Sequence, residues 1–244
     1  MSIYEKITHN SKRKFFAVLI DPDKYDKQGI NLVISSAREN QVDFILVGGS
    51  LLAYDHLEET LQSIKDQTDI PVILFPGSIM QIHEKADALL LLSLISGRNA
   101  DLLIGKHVIA APYLKKSRLE ILPTGYMLIE SGPVTTAQYI SNTIPIPRLK
   151  DDIAVCTAMA GEMLGLRLIY MDAGSGAGMP ISPSMIKKVK GSISVPLIVG
   201  GGIRTAEQAL ASCKAGADMI VVGNAIEKDY SCLKEIARAV HSLG

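Results

Sequence analysis

Short runs of Val, Ile and Leu recur along the chain, and each is bounded by glycine, proline or small polar residues. Within a run the apolar residues are continuous and do not alternate with polar ones, which is typical of strands buried on both faces of a parallel sheet. The runs predict strands at residues 16–20, 44–47, 72–75, 88–94, 125–129, 166–171, 196–199 and 217–222.

Helix-like stretches separate most of these runs, for example at residues 30–40, 151–164, 184–190 and 205–215, and residues 106–116 predict an exposed helix. A strand and a helix that alternate eight times indicate a (β/α)8 TIM barrel, an α/β fold. We therefore expect residues 1–244 to form a single barrel domain.

Two connections depart from the ideal barrel. The first, residues 76–87, is too short for a full crossover helix with its two loops, so the helix between strands 3 and 4 should be reduced or missing. The second, residues 131–150, contains three prolines and shows no helical period. Long irregular connections in compact domains are often functional. We expect a lid or binding loop there, with an ordered surface loop as the alternative.

Composition narrows the class of protein. An apolar fraction of 48% with 20% charged residues is enough for a packed core and excludes disorder. Lys plus Arg and Asp plus Glu both number 25, so no net charge attracts nucleic acid. The N-terminus lacks the apolar region of a secretory signal, and no window is long enough to span a membrane. Three widely spaced cysteines favour a reducing, cytoplasmic location.

Glycine-rich segments follow the last two runs. Residues 200–204 read Gly-Gly-Gly-Ile-Arg, and Gly223 and Asn224 follow the eighth run. Glycines let a phosphate approach the backbone closely, and amides at the start of the following helices can point at its oxygens. Because the loops after strands 7 and 8 commonly bind phosphate in this fold, we predict a phosphorylated ligand. Tight turns are the alternative.

Carboxylates and hydroxyls follow other runs. Tyr170 lies near the end of the sixth run and Asp172 directly follows it, and they could act as hydrogen-bond donor and base, although Asp172 could equally cap a helix or a turn. Asp21 and Asp23 follow the first run, and Ser50 follows the second. Such oxygens suit Mg²⁺ when substrate phosphates complete its coordination. An Asx turn around Pro22 is at least as good an explanation.

Taken in order and spacing, the strand-end motifs resemble the geranylgeranylglyceryl phosphate synthase family over nearly the whole chain. The resemblance rests on segments 21–24, 47–50, 76–78, 96–99, 104–107, 123–130, 144–147, 170–177, 199–203 and 222–224. It implies a Mg²⁺-dependent prenyltransferase on a modified barrel. The reaction joins the 3-hydroxyl of sn-glycerol 1-phosphate to geranylgeranyl diphosphate, releases diphosphate and makes an ether bond of phospholipid biosynthesis.

The resemblance also implies roles for individual residues. Asp21 and Ser50 would position Mg²⁺ on the prenyl diphosphate, and Asp172 with Tyr170 would be catalytic. The phosphate of sn-glycerol 1-phosphate would be bound by Gly201, Gly202, Gly223 and Asn224. Its hydroxyls would be bound by Tyr170, Met171, Asp172, Ala173, Gly174, Ser175 and Gly176.

Two departures from the family pattern bear on these roles. The family usually has Glu where this chain has Asp172, so the shorter base would reach its substrate through a water or a shifted loop. The heptaprenyl branch has Lys where this chain has Leu19, which favours the geranylgeranyl branch. The family also implies a homo-oligomer, a dimer or larger.

Other functions remain open from the sequence. The glycine loops alone would also suit a barrel isomerase or lyase acting on a sugar phosphate, a non-catalytic phosphate-ligand or flavin-binding module, or a synthase with another prenyl length. An apolar groove leading from Asp21 towards the wall at residues 76–87 would count against the isomerase or lyase.

Overall fold

The computed structural model describes residues 1–10, 12–54 and 56–243. Its sheet is a closed barrel of eight parallel strands in sequence order, which confirms the predicted fold. The strands are β1 Phe15–Ile20, β2 Phe44–Val47, β3 Val72–Leu74, β4 Ala88–Leu94, β5 Glu120–Leu128, β6 Leu168–Asp172, β7 Leu197–Gly200 and β8 Met219–Val222.

Helices connect most of the strands. They are α1 Ile3–Thr8, α2 Lys27–Glu39, α3 Leu57–Gln67, α4 Lys106–Lys116, α5 Thr136–Ser141, α6 Asp151–Met163, α7 Pro183–Lys190, α8 Ala206–Ala215, α9 Asn224–Lys228 and α10 Cys232–His241. Several begin at a side chain that caps the free amides of the first turn, as Asp26, Ser182 and Thr205 do. No helix in the described ranges is long and apolar enough to span a membrane.

The continuous apolar runs are explained by two separate cores. Alternate side chains of each strand point into the barrel or out towards the helices. On β6, Leu168 and Tyr170 lie in the inner core, whereas Ile169 and Met171 lie in the outer one. Because both faces of every strand are covered, the sequence shows no alternation.

The amino end of the barrel is closed by α1, which the sequence did not predict. Ile3 and Ile7 pack into the inner core beside Phe15 and Phe44. Glu120 at the start of β5 accepts hydrogen bonds from the amides of Ile3, at 2.6 Å, and Tyr4, at 2.9 Å. With α1 covering this end, the polar cavity described below lies at the opposite end, at the carboxyl ends of the strands.

The connection between β3 and β4 lacks a crossover helix, as predicted. A single 3₁₀ turn, Ile79–Gln81, takes its place. Strands β3 and β4 still pair, Ile73 with Ala88 and Leu74 with Leu89. The barrel is therefore closed by hydrogen bonds here while one part of its outer wall is thin.

The segment 131–150, for which the sequence shows no helical period and predicts a lid or binding loop, contains a short helix. This helix is α5, which begins after Thr135, whose side chain accepts a hydrogen bond from the amide of Gln138 at 3.3 Å. Asn142, in the left-handed region at φ 49°, ends it. A helix of six residues is too short to show a period, so its cap was the only signal. Strand β5 likewise begins five residues earlier than predicted, at Glu120, because Glu120 and Pro123 interrupt its apolar pattern.

Candidate active site

A polar cavity of about 1140 Å³, including space open to solvent, lies at the carboxyl end of the barrel. The residues expected at the site that line it are Asp21, Ser50, Tyr170, Asp172, Gly174, Ser175, Gly176, Gly201, Gly202, Gly223 and Asn224. They come from the ends of five different strands, where active sites of this fold lie.

The side chains of Met171 and Ala173, two residues of the predicted binding segment, point away from the cavity. Both side chains are buried in the outer core, because neighbours along a strand face opposite sides of the sheet. Their side chains therefore do not line the cavity, and only their backbone atoms can take part in binding.

Asp172 is the most deeply buried carboxylate of the cavity, with 6% of its surface exposed. The Tyr126 hydroxyl donates to its Oδ2 at 2.5 Å, and the Gly174 amide donates to its Oδ1 at 2.7 Å. The turn considered from the sequence is thus present, and the same carboxylate faces the cavity. Burial raises the pKa of Asp172, and the two hydrogen bonds oppose part of this rise. A raised pKa makes a carboxylate a stronger base, and its oxygens have lone pairs left for a substrate hydroxyl.

Asp21 directly follows β1 at the other side of the cavity. Its Oδ1 accepts the amide of Asp23 at 3.2 Å, so the predicted Asx turn is present. Its Oδ2 lies 3.6 Å from the Lys24 ammonium. Burial raises the pKa of Asp21, while the Asp23 amide and the Lys24 charge act in the opposite direction. The carboxylate forms the turn and also faces the cavity.

The donors around Asp21 fit a divalent cation. Asp23 Oδ1 is buried, and within the described residues it has no hydrogen-bond partner. Ser50 lines the cavity nearby, and the described part of the chain contains no cluster of three or more His, Cys, Asp or Glu that would form a complete protein site. Mg²⁺ typically takes one or two protein carboxylates and completes its octahedron with water and substrate phosphates. This set of oxygens matches that pattern.

The glycine loops form the opposite wall of the cavity. Gly201 has φ +78°, and a Cβ there would lie 2.6 Å from Asp172 Oδ1, so only glycine fits. Asn224 Oδ1 joins the loops after β6 and β8 by accepting the Gly176 amide at 3.1 Å and the Ser175 hydroxyl at 3.2 Å. Within the described residues, the amides of Gly202 and Gly223 donate no hydrogen bond. Free amides on this wall suit phosphate oxygens.

An apolar groove of about 940 Å³, including space open to solvent, adjoins the polar cavity. It runs beneath the 3₁₀ turn that replaces the missing helix. Its apolar lining includes Ile79, Ile82, Leu89, Leu90, Leu91, Leu92, Leu94, Leu102, Ala110, Leu128, Ala137 and Ile140. The helix predicted at residues 106–116 is present as α4, and its Lys106 and His107 face this groove. The sequence had placed that helix only on the surface.

Three aromatic rings separate the two spaces from the core below. Phe75 stacks on Tyr170 at 5.1 Å between ring centroids, and Tyr126 contacts both rings edge-on at 5.8 and 5.6 Å. Phe75, Gly49 and Ser50 line the groove as well as the cavity. A ligand with a charged head and an apolar tail could therefore occupy both spaces at once.

A sequence model for the PcrB family matches residues 8–240. The chain belongs to the PcrB family. This PcrB-family chain is 59% identical over 229 residues to a geranylgeranylglyceryl phosphate synthase of Chitinophaga pinensis, covering 94% of the chain and 91% of the relative. The resemblance stated from the strand-end motifs is thereby confirmed.

Solved structures agree with this membership. The (S)-3-O-geranylgeranylglyceryl phosphate synthase of Thermoplasma acidophilum, in complex with its substrate sn-glycerol-1-phosphate, superposes with a TM-score of 0.94 at 35% identity, over 99% of each chain. The synthase of Thermoplasma volcanium gives a TM-score of 0.92 at 34% identity, over 99% of this chain and 98% of that one.

Several residues at the site were missed from the sequence. Tyr126 was noted only as part of a motif, although its register partner on β6 is Tyr170, so both rings point into the barrel. Lys24 belongs to the motif at residues 21–24, but the sequence predicted no role for it. Gln81 and Glu227 carried no sequence signal, because their contacts, with Gly49 and Lys24 respectively, join residues distant along the chain.

Proposed function

We propose that this chain is a prenyltransferase that joins the 3-hydroxyl of sn-glycerol 1-phosphate to geranylgeranyl diphosphate, giving geranylgeranylglyceryl phosphate and diphosphate. The observation that carries this proposal is the continuity of the polar cavity with the apolar groove at Gly49, Ser50 and Phe75. A diphosphate head in the cavity would leave its hydrocarbon tail in the groove. Membership of the PcrB family and the names of the relatives support the same reaction.

Glycerol phosphate would bind at the glycine loops. The amides of Gly202 and Gly223 would donate to its phosphate, and Asn224 would hold the two loops at the required spacing. This places the glycerol hydroxyls towards Asp172 and Tyr170, which line the same cavity deeper in the barrel. Fixing both reactants in one cavity removes much of the entropic cost of their encounter.

Asp172 would accept the proton of the 3-hydroxyl as the new carbon–oxygen bond forms. Its raised pKa supports this role, and the Tyr126 hydroxyl holds the carboxylate in one orientation. The allylic carbon loses its diphosphate as that bond forms, and the proton passes to Oδ1 or Oδ2. The ether product keeps the glycerol phosphate group.

We also propose that catalysis depends on Mg²⁺ held by Asp21 and Ser50, with Asp23 close by. When bound, the cation would neutralise charge on the diphosphate. Asp23 Oδ1, which has no hydrogen-bond partner among the described residues, and the excess of carboxylates in the cavity support a cation at this position. Asp21 and Ser50 would then orient the diphosphate at the junction with the groove.

A substrate screen tests the proposal. Purified protein is incubated with Mg²⁺, sn-glycerol 1-phosphate and prenyl diphosphates of increasing length, and products are identified by mass spectrometry. We expect prenylglyceryl phosphate from sn-glycerol 1-phosphate, with much less from its enantiomer. Absence of product at every prenyl length would refute the function. The competing isomerase or lyase is disfavoured because the groove that would count against it is present.

We further propose that the protein is a cytoplasmic homo-oligomer. Its cysteines are free, as expected in a reducing compartment. The helix α4 and the turn before it expose Ile104, Val108, Ile109 and Tyr113, each more than half accessible. Several exposed apolar side chains in one short segment favour self-association. Analytical ultracentrifugation at micromolar concentration tests this, and a monomer would contradict it.

A further inference from the structure

Lys24 lies where the two halves of the polar cavity meet. Its ammonium is 3.6 Å from Asp21 Oδ2, 3.2 Å from Glu227 Oε1 and 3.4 Å from Ser175 Oγ. Asp21 belongs to the half proposed for the prenyl diphosphate. Ser175 belongs to the half proposed for glycerol phosphate. A single side chain therefore reaches both binding regions.

The excess of negative charge in the cavity lining favours a cationic side chain between the two binding regions. Four carboxylates, of Asp21, Asp23, Asp172 and Glu227, and two cationic side chains, of Lys24 and Arg204, line it. The Arg204 guanidinium donates to the Ala177 carbonyl at 2.6 Å and is already engaged. The lining thus carries more negative than positive charge before two phosphate-bearing substrates enter. Lys24 is the lining cation whose contacts are with side chains of both halves.

The side chain of Lys24 is able to change partners. It is 36% exposed, and its flexible stem carries a compact ammonium with three donors. A cation held at Asp21 would compensate the carboxylate that Lys24 now approaches. Glu227 has a second partner, because its Oε2 accepts from Asn224 Nδ2 at 3.1 Å. Phosphate oxygens on either side would then be the stronger acceptors for this ammonium.

We propose that Lys24 is a phosphate-binding residue that bridges the two substrates. Its ammonium donates to the prenyl diphosphate on the Asp21 side and to the glycerol phosphate on the Ser175 side. By contacting both anions it holds the hydroxyl and the allylic carbon at a fixed separation. This inference rests on the proposed function, since it requires both anions in one cavity.

Calorimetric binding of single ligands tests the bridge without turnover. The probes are sn-glycerol 1-phosphate alone and inorganic diphosphate with Mg²⁺. Lys24→Met should weaken the affinity for each probe roughly ten- to hundredfold, which is the usual loss for a charged hydrogen bond. Lys24→Arg, which keeps the charge, should recover most of it. The exposed Lys27 makes no ion pair in the described structure, and Lys27→Met is the matched control.

Glu227→Gln distinguishes two roles for Lys24: binding the phosphates of both substrates, or only closing the cavity through its ion pair with Glu227. The substitution breaks this ion pair, so a role only in closing the cavity predicts weaker binding, as in Lys24→Met. The bridge predicts equal or tighter binding, because a negative charge near the phosphates is lost. Weakening of one probe alone by Lys24→Met, or weakening of both by Glu227→Gln, would overturn the bridge. A wild-type protein that binds both probes and makes no prenylglyceryl phosphate would refute the proposed function and leave the binding result intact.

Discussion

The polar cavity and the apolar groove share three residues and differ in how the chain builds them. The cavity is made by loops added after complete strands, with glycines, carboxylates and hydroxyls from the ends of β1, β2, β6, β7 and β8. The groove forms where a 3₁₀ turn replaces the crossover helix and leaves Leu91, which faces outwards from β4, only partly buried. In an ordinary barrel a helix would cover that side chain. One fold thus gains a charged site through its loops and an apolar site through a missing element.

This difference predicts different sensitivities. Function in the cavity depends on single polar atoms at fixed positions, so one substitution should reduce the rate by orders of magnitude. Function in the groove depends on shape and apolar area, which many side chains share, so single substitutions there should change selectivity more than rate.

Asp21→Ala should give the largest loss, because it removes a carboxylate proposed to hold the metal. A metal ion stabilises phosphoryl leaving groups by several kcal/mol, so we expect kcat/KM to fall about a thousandfold or more. The measurement is product formation over a Mg²⁺ titration, with thermal melting to check the fold. The exposed Asp69→Ala is the control and should retain activity. A fully active Asp21→Ala protein would leave Asp21 with only its turn-forming role.

Asp172→Asn should come next, with kcat reduced by roughly 100- to 1000-fold, the range typical of a lost general base. The KM for sn-glycerol 1-phosphate should change little, because Asn keeps the acceptor for the Gly174 amide. Equal losses in binding and in kcat would instead indicate a binding role. Asp172→Asn should not lower Tm near neutral pH, since burial of the ionised carboxylate disfavours the folded state there.

The pH dependence of kcat/KM gives an independent check on Asp172, because this ratio depends on ionisation of the protein without bound substrate. A base acts in its ionised form, so kcat/KM falls as pH drops through the pKa of Asp172 in the folded protein. Burial raises that pKa above the ordinary 3.8, so the acidic limb should lie above this value in the wild-type protein. Asp172→Asn should lack this limb. A wild-type limb at or below the ordinary value would contradict the role of burial.

The two regions also differ in how far the sequence predicted them. The glycines and carboxylates of the cavity follow their strands directly, so parallel topology alone brings Asp21, Asp172 and Gly201 to one end. The missing helix between β3 and β4 was also predicted, because the connection of residues 76–87 is too short to contain it. The groove's lining was not predicted, because Ala110 and Ala137 lie on helices whose orientation depends on tertiary packing. The contact of Gln81 with Gly49 was not predicted, because it too depends on tertiary packing.

Ala110→Phe is expected to have a smaller and selective effect. Ala110 is 4% exposed on α4 and lines the groove, so an added ring would occupy space proposed for the prenyl tail. We expect the KM for the C20 substrate to rise roughly tenfold or more relative to a C10 substrate, since even one misfitting methylene changes apolar binding severalfold. The neighbouring Ala111 is exposed, and Ala111→Phe is the control. An equal loss for both chain lengths would exclude a tail in this groove.

Gln81 forms hydrogen bonds at the junction between the polar cavity and the apolar groove. Substitutions of Gln81 therefore test how the two regions are connected. Gln81 is 4% exposed, and its Oε1 accepts the amides of Gly49 and Gly77, both at 3.2 Å. Its Nε2 donates to the Gly49 carbonyl at 2.9 Å, next to Ser50. The missing helix is thus compensated by one amide side chain that fixes the junction.

Gln81→Leu leaves the partly buried amides of Gly49 and Gly77 without their acceptor and should destabilise the fold by about 1–3 kcal/mol. It should also lower kcat/KM about tenfold, because Ser50 loses its fixed position beside Asp21. Gln81→Glu keeps the acceptor for both amides, and its carboxyl, when protonated, can also donate to the Gly49 carbonyl, so it should be the milder change. The decisive readout is the Mg²⁺ concentration for half-maximal activity, which should rise in Gln81→Leu and less in Gln81→Glu. An unchanged Mg²⁺ requirement with lower stability would show that Gln81 supports the fold without positioning the Ser50 hydroxyl that is proposed to bind the metal.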